Sequence, residues 1–214
     1  MIPLHDDKTR ERFPFATLCI ILFNFLVFIG WQLQVGIQES VDIGAMIPAE
    51  FNHAPSPDNW VHMAASMFMH GGWMHILGNM WFLWIFGANV EAAIGPGRFG
   101  LFYLLCGAAA GLVYVVFSPD SLLPMIGASG AVSGVLGAYL ILHPKARITT
   151  FVPFIIFFKI VRIPAWFFLV VWIGFQILAQ AVSHRQEGGV AYLAHIGGFF
   201  SGVLLIFFFK KGVD

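Results

Sequence analysis

Ser129 stands in the run Gly127-Ala128-Ser129-Gly130-Ala131-Val132-Ser133-Gly134, in a chain otherwise rich in Phe, Leu, Ile, Val and Trp. A hydroxyl among residues with almost no side chain is unshielded, and glycine backbone can bend or be approached closely. Such a serine becomes a nucleophile once a base takes its proton. The candidate base is His195, in Ala194-His195-Ile196-Gly197-Gly198. His75 and Asn79 are four residues apart, hence on one face of a helix. With the Ser129 backbone N–H they are candidate donors to a developing oxyanion. No Asp or Glu is expected beside these residues, so the chemistry would be that of a dyad and not a triad.

The elements that must position them are read from composition. The 214 residues are 59% hydrophobic and 10% charged, with a mean hydropathy of +0.83. Soluble domains carry about 25% charged residues. A soluble chain of this length could not hide so much apolar surface, so lipid is the expected solvent. The net charge of zero gives no sign of nucleic-acid binding. Cys19 and Cys106 lie in apolar runs and read as small hydrophobes, not as a disulfide framework. No HExxH accompanies His62, His70 and His75, so no metal is expected, and no cofactor.

The apolar runs predict an all-α membrane protein of six helices, at about 15–34, 73–90, 98–117, 128–142, 163–182 and 190–209. The whole of 1–214 reads as one membrane domain with a polar tail at 1–14. The first helix lacks a convincing cleavage site and is expected to be retained. Residues 35–71 form a long loop, expected to carry short interfacial helices, for example around Trp60 to Met69. The basic segment 144–162 is expected to lie along the interface, since Pro153 and Pro164 disfavour one long helix. With the N-terminus in the cytoplasm, the inner segments hold Lys8, Arg10, Arg12, Arg98, Lys145, Arg147, Lys159, Arg162, Lys210 and Lys211. The outer loops hold only Arg185. That asymmetry follows the positive-inside rule and puts both termini inside.

In this topology the second, fourth and sixth helices enter from the outer face. His75, Asn79, Ser129 and His195 then each lie on the order of 10 Å or less below it, at 1.5 Å per residue. Polar groups in lipid are expensive and usually face the bundle interior. Gly198 and Gly202 form a GxxxG on the sixth helix, on the face of His195. Gly130, Gly134, Gly137 and Ala138 answer on the fourth, so the two backbones can approach closely. Each piece alone has a plainer reading: small residues pack helices, and a lone His or Asn bonds a neighbouring helix. Ser66, Ser133 and Ser201 read as structural, and Gln176 as an interhelical hydrogen bond. The conjunction of Ser, His and His/Asn at one depth is what points to catalysis.

With these residues in place, the chain resembles the rhomboid family of intramembrane serine proteases. Gly127-Ala128-Ser129-Gly130 matches the family's GxSG. His75-Ile76-Leu77-Gly78-Asn79 matches HxxxN, and Ala194-His195 through Gly198 and Gly202 matches AHxxGxxxG. The resemblance implies a six-helix fold and a Ser129 nucleophile with His195 as general base. It implies His75, Asn79 and the Ser129 N–H as oxyanion donors. Glu91 matches an acidic position that braces the region of the second and third helices. His70 matches a histidine that helps hold the first loop, and Trp172 matches a lateral-gate residue. The implied substrates are transmembrane proteins, cut in or near the span at a site open to the outer face of a plasma membrane. The alternative is a rhomboid-like pseudoprotease that binds membrane proteins without cutting them. Two positions depart from some members. The residue four after the nucleophile is Ser133, not tyrosine, so the imidazole is expected to be held in another way. In the first loop, Trp60 is followed by Val61 and His62 where some members keep a Trp-Arg pair.

Overall fold

The computed structural model describes residues 1–8, 12–153, 158–183 and 191–210. Most of the loop expected at 183–189, the start of the sixth helix at 190, and Arg10, Arg185 and Lys211 of the charge count lie outside the described residues. Helix α1 runs Phe15–Val35, with a π-helical turn at Phe28–Gln32. Three short helices follow: α2 (Ile37–Gly44), α3 (Pro48–His53) and α4 (Pro57–Ser66). Helix α5 continues from Trp73–Phe82 through a π-helical turn at Leu83–Gly87 into Ala88–Ile94. Then come α6 (Pro96–Phe117), α7 (Ser129–Leu142), α8 (Ala165–Ser183) and α9 (Tyr192–Phe209).

Among the described residues, four helices are long and apolar enough to cross a membrane: Phe15–Val35, Pro96–Phe117, Ala165–Val182 and Tyr192–Phe209. Two further helices do not meet that description, for physical reasons. Helix α5 carries His75, Asn79, Asn89 and Glu91 within 73–94. Helix α7 has 14 residues, about 21 Å at 1.5 Å each, against roughly 30 Å of hydrocarbon. Helix α7 is sheathed in protein, with every residue from Gly130 to Tyr139 buried. The outward faces of α1, α6, α8 and α9 form an apolar belt that includes Leu22, Leu26, Leu101, Val116, Phe175, Leu178, Leu204 and Phe208. So much exposed apolar surface belongs against lipid.

The all-α expectation is corrected by a three-stranded sheet, ordered β1 (Ile2–Asp6), β2 (Arg147–Pro153), β3 (Phe158–Pro164). Both pairings are antiparallel. Thr149 stands opposite Arg162, and β1 shifts register between Pro3 and His5. The N-terminal tail is therefore partly a strand, and the basic interfacial segment is largely a hairpin. The cause is legible in Ile148, Thr149, Thr150, Val152, Ile160, Val161 and Ile163, β-branched residues that favour a pleated surface. Ile148 and Thr150 alternate inward and are fully buried. Asp6 ties the sheet to the helices by accepting bonds from Tyr139 of α7 and Asn89 of α5. The Trp81 indole donates to the Pro3 carbonyl at 2.7 Å.

Glu91 fastens α5 to the beginning of α1. Its carboxylate accepts from Ala16 N at 2.9 Å, Thr17 N at 2.7 Å and Thr17 Oγ1 at 2.7 Å. These amides belong to the first turn of α1, where no intrahelical acceptor exists, and Pro14 at the N-cap supplies no side-chain bond. An anion at a helix N-terminus is also favoured by the helix dipole. The carboxylate bonds of Glu91 thus go to the first helix, while its backbone carbonyl accepts from the Gly95 N–H at the connection between α5 and α6. Glu91→Ala is expected to destabilise the protein by about 2–4 kcal/mol, because it strands buried donors. Thermal unfolding in detergent would show it, and an unchanged Tm would refute this role.

Helix α7 is crossed by α9 with the two backbones in contact. A Cβ at Gly198 would collide with the Gly130 carbonyl oxygen, one at Gly202 with that of Gly134, and one at Gly137 with that of Phe199. On its other side α7 meets α6, where a Cβ at Gly130 would stand 2.7 Å from the Cβ of Ala110. Small residues at i, i+4 and i+7 on α7 thus permit a three-helix junction that any larger side chain would pry apart.

Candidate active site

The turn that enters α7 is built around Gly127. Its φ of +112° lies in the left-handed region that favours glycine. Its N–H donates to the Ser66 carbonyl at 2.8 Å, anchoring the turn on the end of α4. Upstream, Met125 and Met46 exchange backbone bonds, so the long first loop and the Ser129 turn brace each other. Ser129 is the first residue of α7, where an amide has no partner within its own helix. Its hydroxyl makes no hydrogen bond among the described residues and lines a cavity of about 590 Å³.

That cavity is shared by His75 and Asn79 of α5, Ser129 of α7, Trp172 and Gln176 of α8, and His195 of α9. His75 and Asn79 reach across to Gly127. A Cβ there would lie 2.7 Å from His75 Nε2 and 3.5 Å from Asn79 Nδ2. The Gly71 N–H donates to His75 Nδ1 at 3.3 Å. A neutral His75 that accepts at Nδ1 carries its proton on Nε2, the nitrogen facing Gly127. Asn79 Nδ2 is buried without a hydrogen-bond partner. Two N–H donors therefore converge beside the Ser129 turn, without an acceptor among the described residues. A buried unsatisfied donor is costly unless something arrives to take its bond.

His195 has the opposite polarity. Its Nδ1 lies 2.8 Å from Gln176 Oε1, so Nδ1 carries the proton and Nε2 keeps its lone pair. Trp172 and Tyr192 flank the ring, with centroids 6.3 and 6.2 Å away. Ser133 plays no part in holding it. The Ser133 hydroxyl donates to the Ser129 carbonyl at 2.6 Å, one turn back on its own helix.

His70 packs behind His75, ring centroids 5.1 Å apart. Gln32 clamps the His70 backbone, accepting from its N–H at 2.8 Å and donating to its carbonyl at 3.2 Å. Gln32 also donates to Ser40 of α2 at 2.9 Å. Burial, and secondarily the neighbouring His75, pull His70 down to about 3, so it is neutral at any working pH. This clamp fixes the chain just before α5 and so the height of His75.

The structure brings Ser129, His195, His75, Asn79 and Trp172 to one cavity, with Gly127 and Gly130 in its wall. His70 lies one layer behind. Gly198 and Gly202 lie at the helix crossing, and Glu91 lies toward the other end of α5. Gln176, read from the sequence as a plain interhelical bond, is the residue whose place the sequence did not disclose. The available signal was its spacing: it lies four residues after Trp172, in an apolar helix where a polar side chain is expensive.

Comparison with known proteins gives a match to the family described as Rhomboid domain over residues 57–212. The chain is similar to Rhomboid protease GluP of Bacillus subtilis, 29% identical over 189 residues, covering 88% of this chain and 34% of that protein. It is 29% identical over 160 residues to Rhomboid protein 1, mitochondrial, of Saccharomyces cerevisiae, covering 72% and 43%. It is 34% identical over 142 residues to RHOMBOID-like protein 4 of Arabidopsis thaliana, covering 65% and 32%. The matched regions thus span less than half the length of these relatives.

Proposed function

Since this membrane protein belongs to the rhomboid family, we propose that it is an intramembrane serine endopeptidase, cutting transmembrane proteins in or near their spans with Ser129 as nucleophile and His195 as base. The observation that carries the reading is the opposed polarity of the two histidines in one cavity. One presents a lone pair and the other an N–H, as base and oxyanion donor must.

The steps follow from those groups. His195 Nε2 takes the Ser129 proton as Oγ attacks the scissile carbonyl carbon. The carbonyl π pair moves to oxygen, and the resulting oxyanion accepts from the Ser129 N–H, His75 Nε2–H and Asn79 Nδ2–H. Collapse of the tetrahedral adduct breaks the C–N bond, and the imidazolium gives its proton to the departing amine. Water, deprotonated by His195, then attacks the Ser129 ester; the acyl C–Oγ bond breaks, the acid leaves and the imidazolium returns its proton to Ser129 Oγ. No metal or cofactor enters. Hydrolysis needs water, so the cavity opens to the aqueous phase. A substrate helix hides its carbonyls in i to i−4 bonds and unwinds locally before it is cut, entering sideways past α8 and Trp172.

The proposal includes six spans in one domain, with α5 and α7 as the two not apparent from length and hydropathy. Both termini are cytoplasmic and the site opens to the outer face of a cell membrane. The distribution of Lys and Arg supports this orientation. A periplasmic reporter fused after Lys211 is expected to be inactive, and strong reporter activity would refute the topology. The proteolytic reading is tested by cleavage of a transmembrane substrate in proteoliposomes, with the Ser129 and His195 variants as controls. A wild-type chain that binds such substrates and leaves them intact would favour the pseudoprotease reading.

A further inference from the structure

We propose that Gln176 is a positioning residue for His195, fixing both the tautomer and the direction of the imidazole from the helix past which substrate would enter. The premise is the 2.8 Å contact between His195 Nδ1 and Gln176 Oε1. An amide oxygen only accepts, so it selects the Nδ1–H tautomer and leaves Nε2 free to act as base. The Ser133 hydroxyl is spent on the Ser129 carbonyl, so Gln176 is the polar side chain bonded to this ring among the described residues. Trp172, one turn before Gln176, stands against the ring at an interplanar angle of 33°. Two residues at i and i+4 of α8 therefore hold the base, one by a bond and one by its face.

The rest of α8 sharpens the point. Its N-terminal half is anchored by Ala165, Phe168, Leu169 and Ile173, all buried. Beyond Ile173, no residue through Val182 is buried, and Phe175, Ile177, Leu178 and Val182 are exposed. The bond from Gln176 to His195 is thus a polar tie in the half of α8 that buries no side chain among the described residues. Displacing that half to admit a substrate loosens the base, and its return realigns the base.

Among the described residues, the imidazole faces few other groups that could set its protonation. From α5 it faces His75, and from its own helix Tyr192. Helix α7 presents Ser129 and α8 presents Trp172 and Gln176, with no charge on either. Where α9 meets α6, it packs on Val113 at Gly197.

This role rests on the proposed Ser129–His195 chemistry, but its first readout does not. In full-length protein labelled with 15N-histidine in detergent micelles, His195 signals are assigned by their loss in His195→Gln. The wild type is expected to show the Nδ1–H tautomer, and Gln176→Leu a substantial gain of Nε2–H. Cleavage by Gln176→Leu is expected to fall in kcat, with KM little changed, by roughly ten- to a hundredfold. That is part of the roughly 10²–10⁴ that a positioned base supplies. Gln176→Glu restores an acceptor and is expected to keep the Nδ1–H tautomer. Its carboxylate favours the imidazolium, so the acidic limb of the pH–rate profile moves to higher pH. An Nε2–H tautomer in the wild type, or an unchanged tautomer in Gln176→Leu, overturns the proposal. If the tautomers respond as expected and the wild type cleaves nothing, the positioning bond stands and the protease reading falls.

Discussion

Ser129→Ala is expected to lower cleavage of a transmembrane substrate by roughly 10³-fold or more, and His195→Ala by a similar factor. The two losses are not additive. A serine without its base and a base without its serine are equally unable to form the acyl-enzyme, so the double variant should be no worse than either single one. What remains is the proposed oxyanion site, whose candidate donors Asn79 Nδ2 and His75 Nε2 lie over Gly127 whether or not Ser129 keeps its hydroxyl. Ser129→Ala should leave Tm unchanged, because among the described residues the Ser129 hydroxyl makes no hydrogen bond, whereas His195→Ala also loses the bond to Gln176 and is expected to lower Tm modestly. Activity in proteoliposomes and labelling by a fluorophosphonate probe measure the two sides of the claim. The probe is expected to modify Ser129 in the wild type and nothing in Ser129→Ala. Residual wild-type rates in both variants, or a probe attached elsewhere, would sink the dyad.

The sequence disclosed the chain's solvent and its candidate site residues more readily than its architecture. Apolar runs such as those of α6 and α9 announce helices in lipid because composition and length alone decide whether a segment can sit in hydrocarbon. Three motifs singled out Ser129, His75, Asn79 and His195 as candidates, because the chemistry they would perform restricts residue type, and the structure gathers them at one cavity. The sheet was obscured because β1 and β2 lie far apart in sequence, with Asp6 paired to Ile148 and Ile2 to Phe151. Pairing at such separation leaves no local pattern beyond the β-branched alternation around Ile148 and Thr150. The π-helical turns in α1 and α5 were likewise invisible, since they answer to packing against neighbours. Gln176 was seen but not placed: a sequence shows that a glutamine must find a partner, not which of several helices carries it.

The second large effect is expected at the crossing of α7 and α9. Gly202→Ala puts a methyl onto the Gly134 carbonyl oxygen, and Gly198→Ala puts one onto that of Gly130. A flexible side chain could move aside, but a carbonyl inside α7 cannot move without its helix. The helices must separate, and overpacking of this kind costs about 1–3 kcal/mol. Separation also carries His195, on α9, away from Ser129, on α7, and about 1 Å of misplacement costs roughly 10²-fold in rate. Activity is therefore expected to fall more steeply than stability, and more for Gly198→Ala, which lies one turn from His195. The control is Gly100→Ala on α6, where an added Cβ meets nothing within 4 Å. Removing that glycine from a helix should be neutral or stabilising by up to about 1 kcal/mol. Tm and cleavage rate measured together on the three variants test the argument. If Gly198→Ala and Gly202→Ala match Gly100→Ala in both, the two helices do not meet backbone to backbone, and the small residues after Ser129 do not set the distance from base to nucleophile.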